Sequence, residues 1–312
     1  EVSSDAIYAK IGQVILSIIT DSKDPLFKKE EVVADDKTKF QVQPTDRLIT
    51  EVADMVTMMT NSAFSKKPML ETPNPWSDDV LGGYKTNGLA ISLPLVRQKP
   101  GFEVGTAGPI AINMINNLQE VALKVNPKIQ DIATQCADKG ISLDSFVVPN
   151  TRDTAYVRRI KSRKNVPTRA SLAEATSLLN EEQFFLPWSF DSRGRVYPQA
   201  STLNTQSTDF GKSLVMFAEP GPFNKTAEKW LAIHIANCWG NGVDKRSLTE
   251  RINWVKSAGT VLIKKIVTNP LAAIKYWNNE DNSSPSEPWQ LIAAAYEWHA
   301  CVISKVQTTT SI

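Results

Sequence analysis

Histidine and cysteine are the scarcest reactive groups, two of one and three of the other in 312 residues. Cys136, Cys238 and Cys301 lie far apart with no Cys-x-x-Cys spacing, which excludes a recognisable zinc site or a disulfide framework. Unpaired thiols suit a reducing compartment. No apolar run approaches the roughly 20 residues that span a bilayer, and no signal-peptide pattern is visible. The chain opens on Glu1, not Met, which reads as a trimmed start. A dominant charge is also lacking. Lys and Arg number 35 against 33 Asp and Glu, a net of +2. Bulk electrostatics therefore announce no nucleic-acid binder, and any basic surface has to be local. A hydrophobic share of 42% and a charged share of 22% describe an ordinary soluble globular protein. The length suits two or three domains.

The most informative stretch is FFLPWSFDSRGRVY, Phe184 to Tyr197. It is apolar for seven residues and turns polar at Asp191. Pro187 cannot donate to a ladder, so a buried edge segment is expected, leading into a tight charged loop. Gly194 lets the backbone turn or approach a ligand. Asp191 is in reach of either Arg193 or Arg195 and can hold a guanidinium by bidentate pairing. A fixed arginine fork suits phosphate oxygens. The same five residues also read as a structural salt bridge in a turn.

Along the chain, residues 5–20 carry Ile7, Ile11, Val14, Ile15 and Ile18 on one helical stripe. Residues 24–43 read as a solvated hairpin or loop. A second helix is expected from Thr45, with Leu48, Val52, Met55, Val56 and Met59 inward as core filling. Lys66 to Tyr84 holds three prolines and a Gly pair, which forbid regular structure. Trp76 within it needs an anchor, and Asp78 and Asp79 read as solvated. A helix is expected from Pro109 to about Val125. Asn126-Pro127 opens another, which Gly140 closes.

Arg152 to Arg169 holds Arg152, Arg158, Arg159, Lys161, Arg163, Lys164 and Arg169 against Asp153 alone. This is either a solvated run or a contact with phosphate backbones. Ser171 and Glu174 read as a capping box. Residues 198–211 read as loop and Ser213 to Ala218 as a short strand. Gly211-Lys212-Ser213 ends like a phosphate-binding loop, but Gln206 stands where its first glycine belongs, so that motif is rejected. Lys212 reads as a lone cation near nucleic acid, or as simply exposed. Thr226 to Trp239 is expected to be a buried helix, with His234 a hydrogen-bonded core residue and not a proton donor. Ser247 with Glu250 forms a capping box for a helix to Ile266. A polar loop at 278–287 precedes a last helix from about Glu287.

The longer string FxxPxxxDxRGRVYP resembles the opening of the palm in the single-subunit RNA polymerases of bacteriophages and mitochondria. Asp209 and Lys212 in LNTQSTDFGKSLVMFAE match a further segment of that family. WLAIHIANCWG, Trp230 to Gly240, resembles its WLKIHxAN helix, with Ala232 where the pattern carries lysine. Pro73, Pro75, Trp76, Gly82, Gly83 and Tyr84 match its Pro-rich Trp…Gly-Gly-Tyr stretch, and Ile112-Asn113 the start of a later helix. Tyr276-Trp277 and Pro288-Trp289 also fit.

The resemblance implies a fold that is mainly α with a small β component (α+β). It implies part of an amino-terminal domain over 1–106, a thumb-like helical region with the basic segment over 107–182, and the first part of a palm over 183–312. It implies a DNA-directed RNA polymerase whose partners are DNA template, RNA transcript and nucleoside triphosphates. Two Mg ions held by aspartates would do the chemistry, and those motifs are expected beyond this chain or on a second chain. The chain by itself is then expected to be inactive. Asp191, Arg193, Gly194, Arg195 and Tyr197 are expected at the template and hybrid. Lys212 and Arg158, Arg159, Lys161, Arg163 and Lys164 are expected to neutralise backbone charge. The implied location is the cytoplasm of a phage-infected cell, ahead of the mitochondrial matrix. The alternative is a non-catalytic nucleic-acid-binding module built on the same scaffold.

Overall fold

The computed structural model describes residues 4–21, 23, 25–34, 37–52, 66–77, 82–85, 94–97, 107–149, 153–279 and 281–309. The chain divides into two compact units, Glu1–Ser65 and Lys66–Ile312.

The first unit holds helix α1 (Ser4–Thr20), an antiparallel hairpin of β1 (Phe27–Ala34) and β2 (Lys37–Pro44), and helix α2, described over 46–52. Thr45 starts α2 by accepting the Leu48 N–H on its hydroxyl. The hairpin matches the expectation. The inward face expected of α2 does not, because Val52 is exposed, and on α1 the stripe residues Val14, Ile15 and Ile18 are exposed as well. Helical spacing identifies an apolar face and says nothing about whether a neighbour covers it. Met55, Val56 and Met59 fall outside the described residues, as do Asp78, Asp79 and Arg152.

In the second unit the Pro-rich segment forms only isolated bridges, Met69 with Phe185 and Asn74 with Gly83. Trp76 is anchored as expected. Its indole Nε1 donates to Gln119 Oε1 at 3.1 Å, and its backbone N–H donates to Asn116 Oδ1 at 2.8 Å. Gln119 and Asn116 belong to helix α3 (Pro109–Gln119). Gln119 is 1% exposed, and its amide also donates to the Asn74 carbonyl and accepts from the Trp188 N–H. One buried amide thus joins the Pro-rich segment to the strand of the central stretch. A Cβ at Gly82 would lie 2.6 Å from Trp76 N and Cγ and 2.7 Å from the Asn74 oxygen. Two of those atoms are backbone and cannot swing away. Gly82→Ala is expected to cost about 2 kcal/mol of overpacking in urea unfolding. An unchanged midpoint would show that the Trp76 seat is loose.

Helix α3 is shorter than its apolar pattern suggests. Residues Leu123–Val125 form strand β4, paired with β7 (Val215–Phe217). Alternation of buried Leu123 and Val125 about Lys124 fits a strand of three residues as well as a helix turn, and the partner strand decides. Helix α4 (Pro127–Asp138) is capped by the Asn126 side chain and closes at Gly140, which has φ +65°, both as expected.

Helices α5 (Ala155–Lys164) and α6 (Val166–Ser177) follow. Ser171 lies inside α6 and is not a cap. Its buried hydroxyl donates to the Thr202 carbonyl, a tertiary partner that local sequence does not announce. Strands β5 (Trp188–Asp191) and β6 (Val196–Pro198) form an antiparallel hairpin, and β3 (Val96–Arg97) joins β5 in parallel. The order β3-β5-β6 makes β5 the central strand, not an edge. Pro187 is tolerated because it lies one residue before the ladder, where its carbonyl accepts the Gln199 N–H.

Helix α7 (Asp209–Ser213) replaces part of the expected loop, so the strand begins only at Val215. Short strands β8 (Gly221–Pro222) and β9 (Thr308–Thr309) pair. Helix α8 (Lys225–Trp239) buries Leu231, Ala232, Ile235 and Ala236, while Trp230 stands exposed. His234 is also exposed, not in the core, with Cys238 Sγ 3.6 Å from its Nε2. It sits on the outer face because the inner face is filled by the residues flanking it.

Helix α9 (Leu248–Trp254) carries the expected capping box of Ser247 and Glu250. A π-turn over Val255–Gly259 leads into α10 (Thr260–Thr268), then α11 (Pro270–Trp277) and α12 (Pro288–Trp298). Helix α12 packs on α4, α7, α8 and α10, and its Leu291, Ile292 and Ala295 are sealed from solvent. The described elements are mostly helices with four small sheets, the α+β class expected.

Candidate nucleic-acid interface

The hairpin of β5 and β6 projects the loop 191–195. Trp188 and Phe190 are buried and root β5 in the core, so the loop stands on a rigid base. Asp191 closes the turn. Its Oδ1 accepts the backbone N–H of Arg193 at 2.8 Å and of Arg195 at 2.9 Å. Gly194 donates its N–H to the Asp191 carbonyl and has φ +79°, a backbone region that favours glycine.

Asp191 Oδ2 accepts from Arg193 Nε at 3.1 Å and Nη2 at 2.9 Å. Asp191 thus holds the Arg193 guanidinium through two donors, as expected, with both on one oxygen while backbone amides take the other. The Arg195 backbone N–H, above all, holds the Asp191 carboxyl below the usual carboxylate range, with Arg193 adding to it. Hydrogen bonding to Asp191 raises Arg193, with a smaller contribution from Tyr197.

The two arginines thus separate in role. Arg193 is ion-paired yet 66% exposed, against 17% for Asp191. Arg195 is exposed, and among the described residues no carboxylate lies within ion-pair distance of its guanidinium. Tyr197 is half-buried on β6 opposite Ser189.

The basic run is helical. Thr154 caps α5 by accepting the Val157 N–H, and α5 has no buried residue. Arg158 and Lys161 are drawn to Asp153, through its carbonyl and its carboxylate respectively. The Arg159 guanidinium lies 5.8 Å from the Tyr156 ring centroid. Arg163 and Lys164 are exposed in the last turn. Helix α5 packs on α6, and the Ser171 hydroxyl ties α6 to the segment after the hairpin. Among the described residues no hydrogen bond joins α5 to the loop itself. Lys212 is exposed on α7, whose N-terminus Thr208 caps.

Asp209 is a residue whose place sequence reasoning missed. It is buried, and its two oxygens accept Trp289 N–H at 2.7 Å, Gln290 N–H at 3.0 Å and Gln290 Nε2 at 3.2 Å. Glu287, at the N-cap position of α12, makes no side-chain cap. Asp209 supplies that cap from about eighty residues away. Burial pushes its carboxyl up to about 6, against the hydrogen bonds that lower it. The signal available was a lone carboxylate opening α7 after an uncharged run, which does not reveal its partner. Ala232, where the resembled family carries lysine, is sealed in the core, so it offers no ligand contact.

Among the described residues no group of three or more His, Cys, Asp or Glu comes together to hold a metal. These residues do not fit the Mg ions that the resemblance implies. No described helix is long and apolar enough to cross a membrane.

Residues 221–311 match the family described as DNA-dependent RNA polymerase. A probable DNA-directed RNA polymerase of Podospora anserina is 26% identical over 261 residues, covering 78% of this chain and 27% of that protein. The mitochondrial DNA-directed RNA polymerase 1B of Nicotiana tabacum is 26% identical over 256 residues, 72% of this chain and 25% of its own length. The mitochondrial DNA-directed RNA polymerase of Neurospora crassa is 26% identical over 270 residues, 75% and 18% respectively. The chain spans about a quarter or less of the length of these relatives. By the family match over residues 221–311 and by these relatives, the chain is similar to DNA-directed RNA polymerases.

Proposed function

We propose that the chain is the part of a DNA-directed RNA polymerase that grips the template and the RNA–DNA hybrid. One observation carries this reading: a turn locked by Asp191 presents the Arg195 guanidinium to solvent, with no acid among the described residues to neutralise it. Such a cation on a rigid hairpin suits a phosphate or ribose oxygen, and a ribose contact can register the 2′-hydroxyl. Arg193 and Tyr197 flank it, and Gly194 permits close approach. Arg163, Lys164 and Lys212 add exposed charge for backbone phosphates.

On this reading residues 1–106 are part of an amino-terminal domain, 107–182 act as a thumb and 183–312 as the first part of a palm. Nucleoside triphosphates and Mg would be handled by aspartate-bearing strands elsewhere in the polymerase. For location we propose the cytoplasm of a phage-infected cell first and the mitochondrial matrix second. The mitochondrial names of two relatives support the second.

The test is fluorescence anisotropy of a labelled RNA–DNA hybrid across a salt series. Binding is expected, with log affinity falling linearly with log salt as phosphate counterions are released. No binding at low salt, or a salt-independent affinity, overturns the proposal.

A further inference from the structure

The base of the hairpin carries positive charge that the reading above leaves unused. Arg97 on β3 stands opposite Asp191 in the parallel register. Its Nε donates to Ser189 Oγ on β5 at 2.8 Å, and its Nη2 donates to the Pro198 carbonyl on β6 at 3.2 Å. One guanidinium therefore ties both strands and still has N–H donors to spare. Three residues past Pro198, the Ser201 N–H donates to the Lys66 carbonyl at 2.9 Å, with the hydroxyl a weaker donor at 3.4 Å. The strand end that receives Arg97 thus also fixes the backbone of Lys66.

Lys66 is half-buried, and burial together with the nearby Arg97 charge pulls its ammonium below the ordinary lysine range. The adjacent Lys67 pairs with the buried Glu174 at 3.4 Å, and the Tyr84 hydroxyl donates to the Lys67 carbonyl. Of these three cations only Lys67 is paired with a carboxylate among the described residues. Among the described residues neither Lys66 nor Arg97 has an ion pair. Like charges held together in a partly desolvated place are unfavourable until an anion joins them. The hairpin's strand ends hold the Arg97 guanidinium directly and hold Lys66 by its backbone carbonyl.

We propose that Lys66 and Arg97 form a second phosphate seat at the base of the hairpin, taking a backbone phosphodiester of the same nucleic acid that Arg195 contacts. This rests on the nucleic-acid reading of the hairpin. The loop then grips the strand with Arg195 and the seat grips it again, so a displacement of the hairpin is felt at two phosphates.

Lys66→Gln tests the seat, because the backbone carbonyl and its Ser201 contacts survive. An unchanged melting temperature confirms that the fold does too. In the hybrid titration Lys66→Gln is expected to weaken binding roughly five-fold and to lower the salt slope by about one. If Arg195→Ala weakens binding and Lys66→Gln matches wild type, the seat is wrong and the hairpin reading stands. If neither variant differs from wild type, both fall. A nucleoside triphosphate serves as competitor in a further arm. Displacement of the hybrid from wild type but not from Lys66→Gln would assign the seat to nucleotide phosphates and overturn the phosphodiester assignment.

Discussion

Asp209→Ala is expected to lower the unfolding free energy by about 3 kcal/mol below pH 4, the largest stability loss of the substitutions proposed. The substitution strips the first turn of α12 of its only side-chain cap and leaves the Trp289 and Gln290 N–H groups without acceptors. Trp289 is one of three mutually packed aromatic rings, with Phe210 at 4.9 Å and Phe146 at 5.5 Å between ring centroids. Its indole also donates to the Leu143 carbonyl at 3.2 Å. Loosening α12 therefore loosens the contact between α7 and the segment that follows α4.

The pH dependence gives this prediction a second edge. The Asp209 carboxyl is raised to about 6 in the fold, above the roughly 3.9 of an unfolded chain. A raised carboxyl contributes stability that is full below the unfolded value and lost as pH rises through the folded value. The gap between wild type and Asp209→Ala is thus expected to narrow between pH 4 and pH 7 in urea unfolding curves. A gap that widens instead would mean that the α12 dipole holds the ionised carboxylate more strongly than burial penalises it.

Arg195→Ala is expected to raise the dissociation constant for an RNA–DNA hybrid about ten-fold and to reduce the salt slope by about one. The turn itself should persist, because Asp191 engages the backbone N–H of residue 195, which alanine retains. Arg193→Ala makes the comparison sharp. That guanidinium is engaged by Asp191, so its loss should weaken binding less. An Arg193→Ala defect larger than that of Arg195→Ala would show that Arg193 leaves Asp191 to reach the phosphate. Unchanged affinity and slope in both variants would return the loop to a structural salt bridge.

What the sequence determined by itself about this protein is local. Asn126-Pro127 and Ser247 with Glu250 start helices where their spacing says, because caps act within one turn. Asp191 and Gly194 made the charged turn legible, since an aspartate, a glycine and two arginines in five residues satisfy each other's backbones. The need to anchor Trp76 was equally plain from its size.

Tertiary structure alone decided the rest, since those outcomes depend on partners distant in sequence. Pro187 marked an edge until β3 arrived on the other side of β5. Leu123 to Val125 became a strand because β7 pairs with it. Ser171 read as a cap and became a tertiary donor. Asp209 caps a helix that begins about eighty residues later, and Arg97 meets Ser189 and Pro198 across about ninety to a hundred. A side chain's type fixes which bonds it can make, but which ones it makes depends on which strand or helix the packed core brings within about 3 Å.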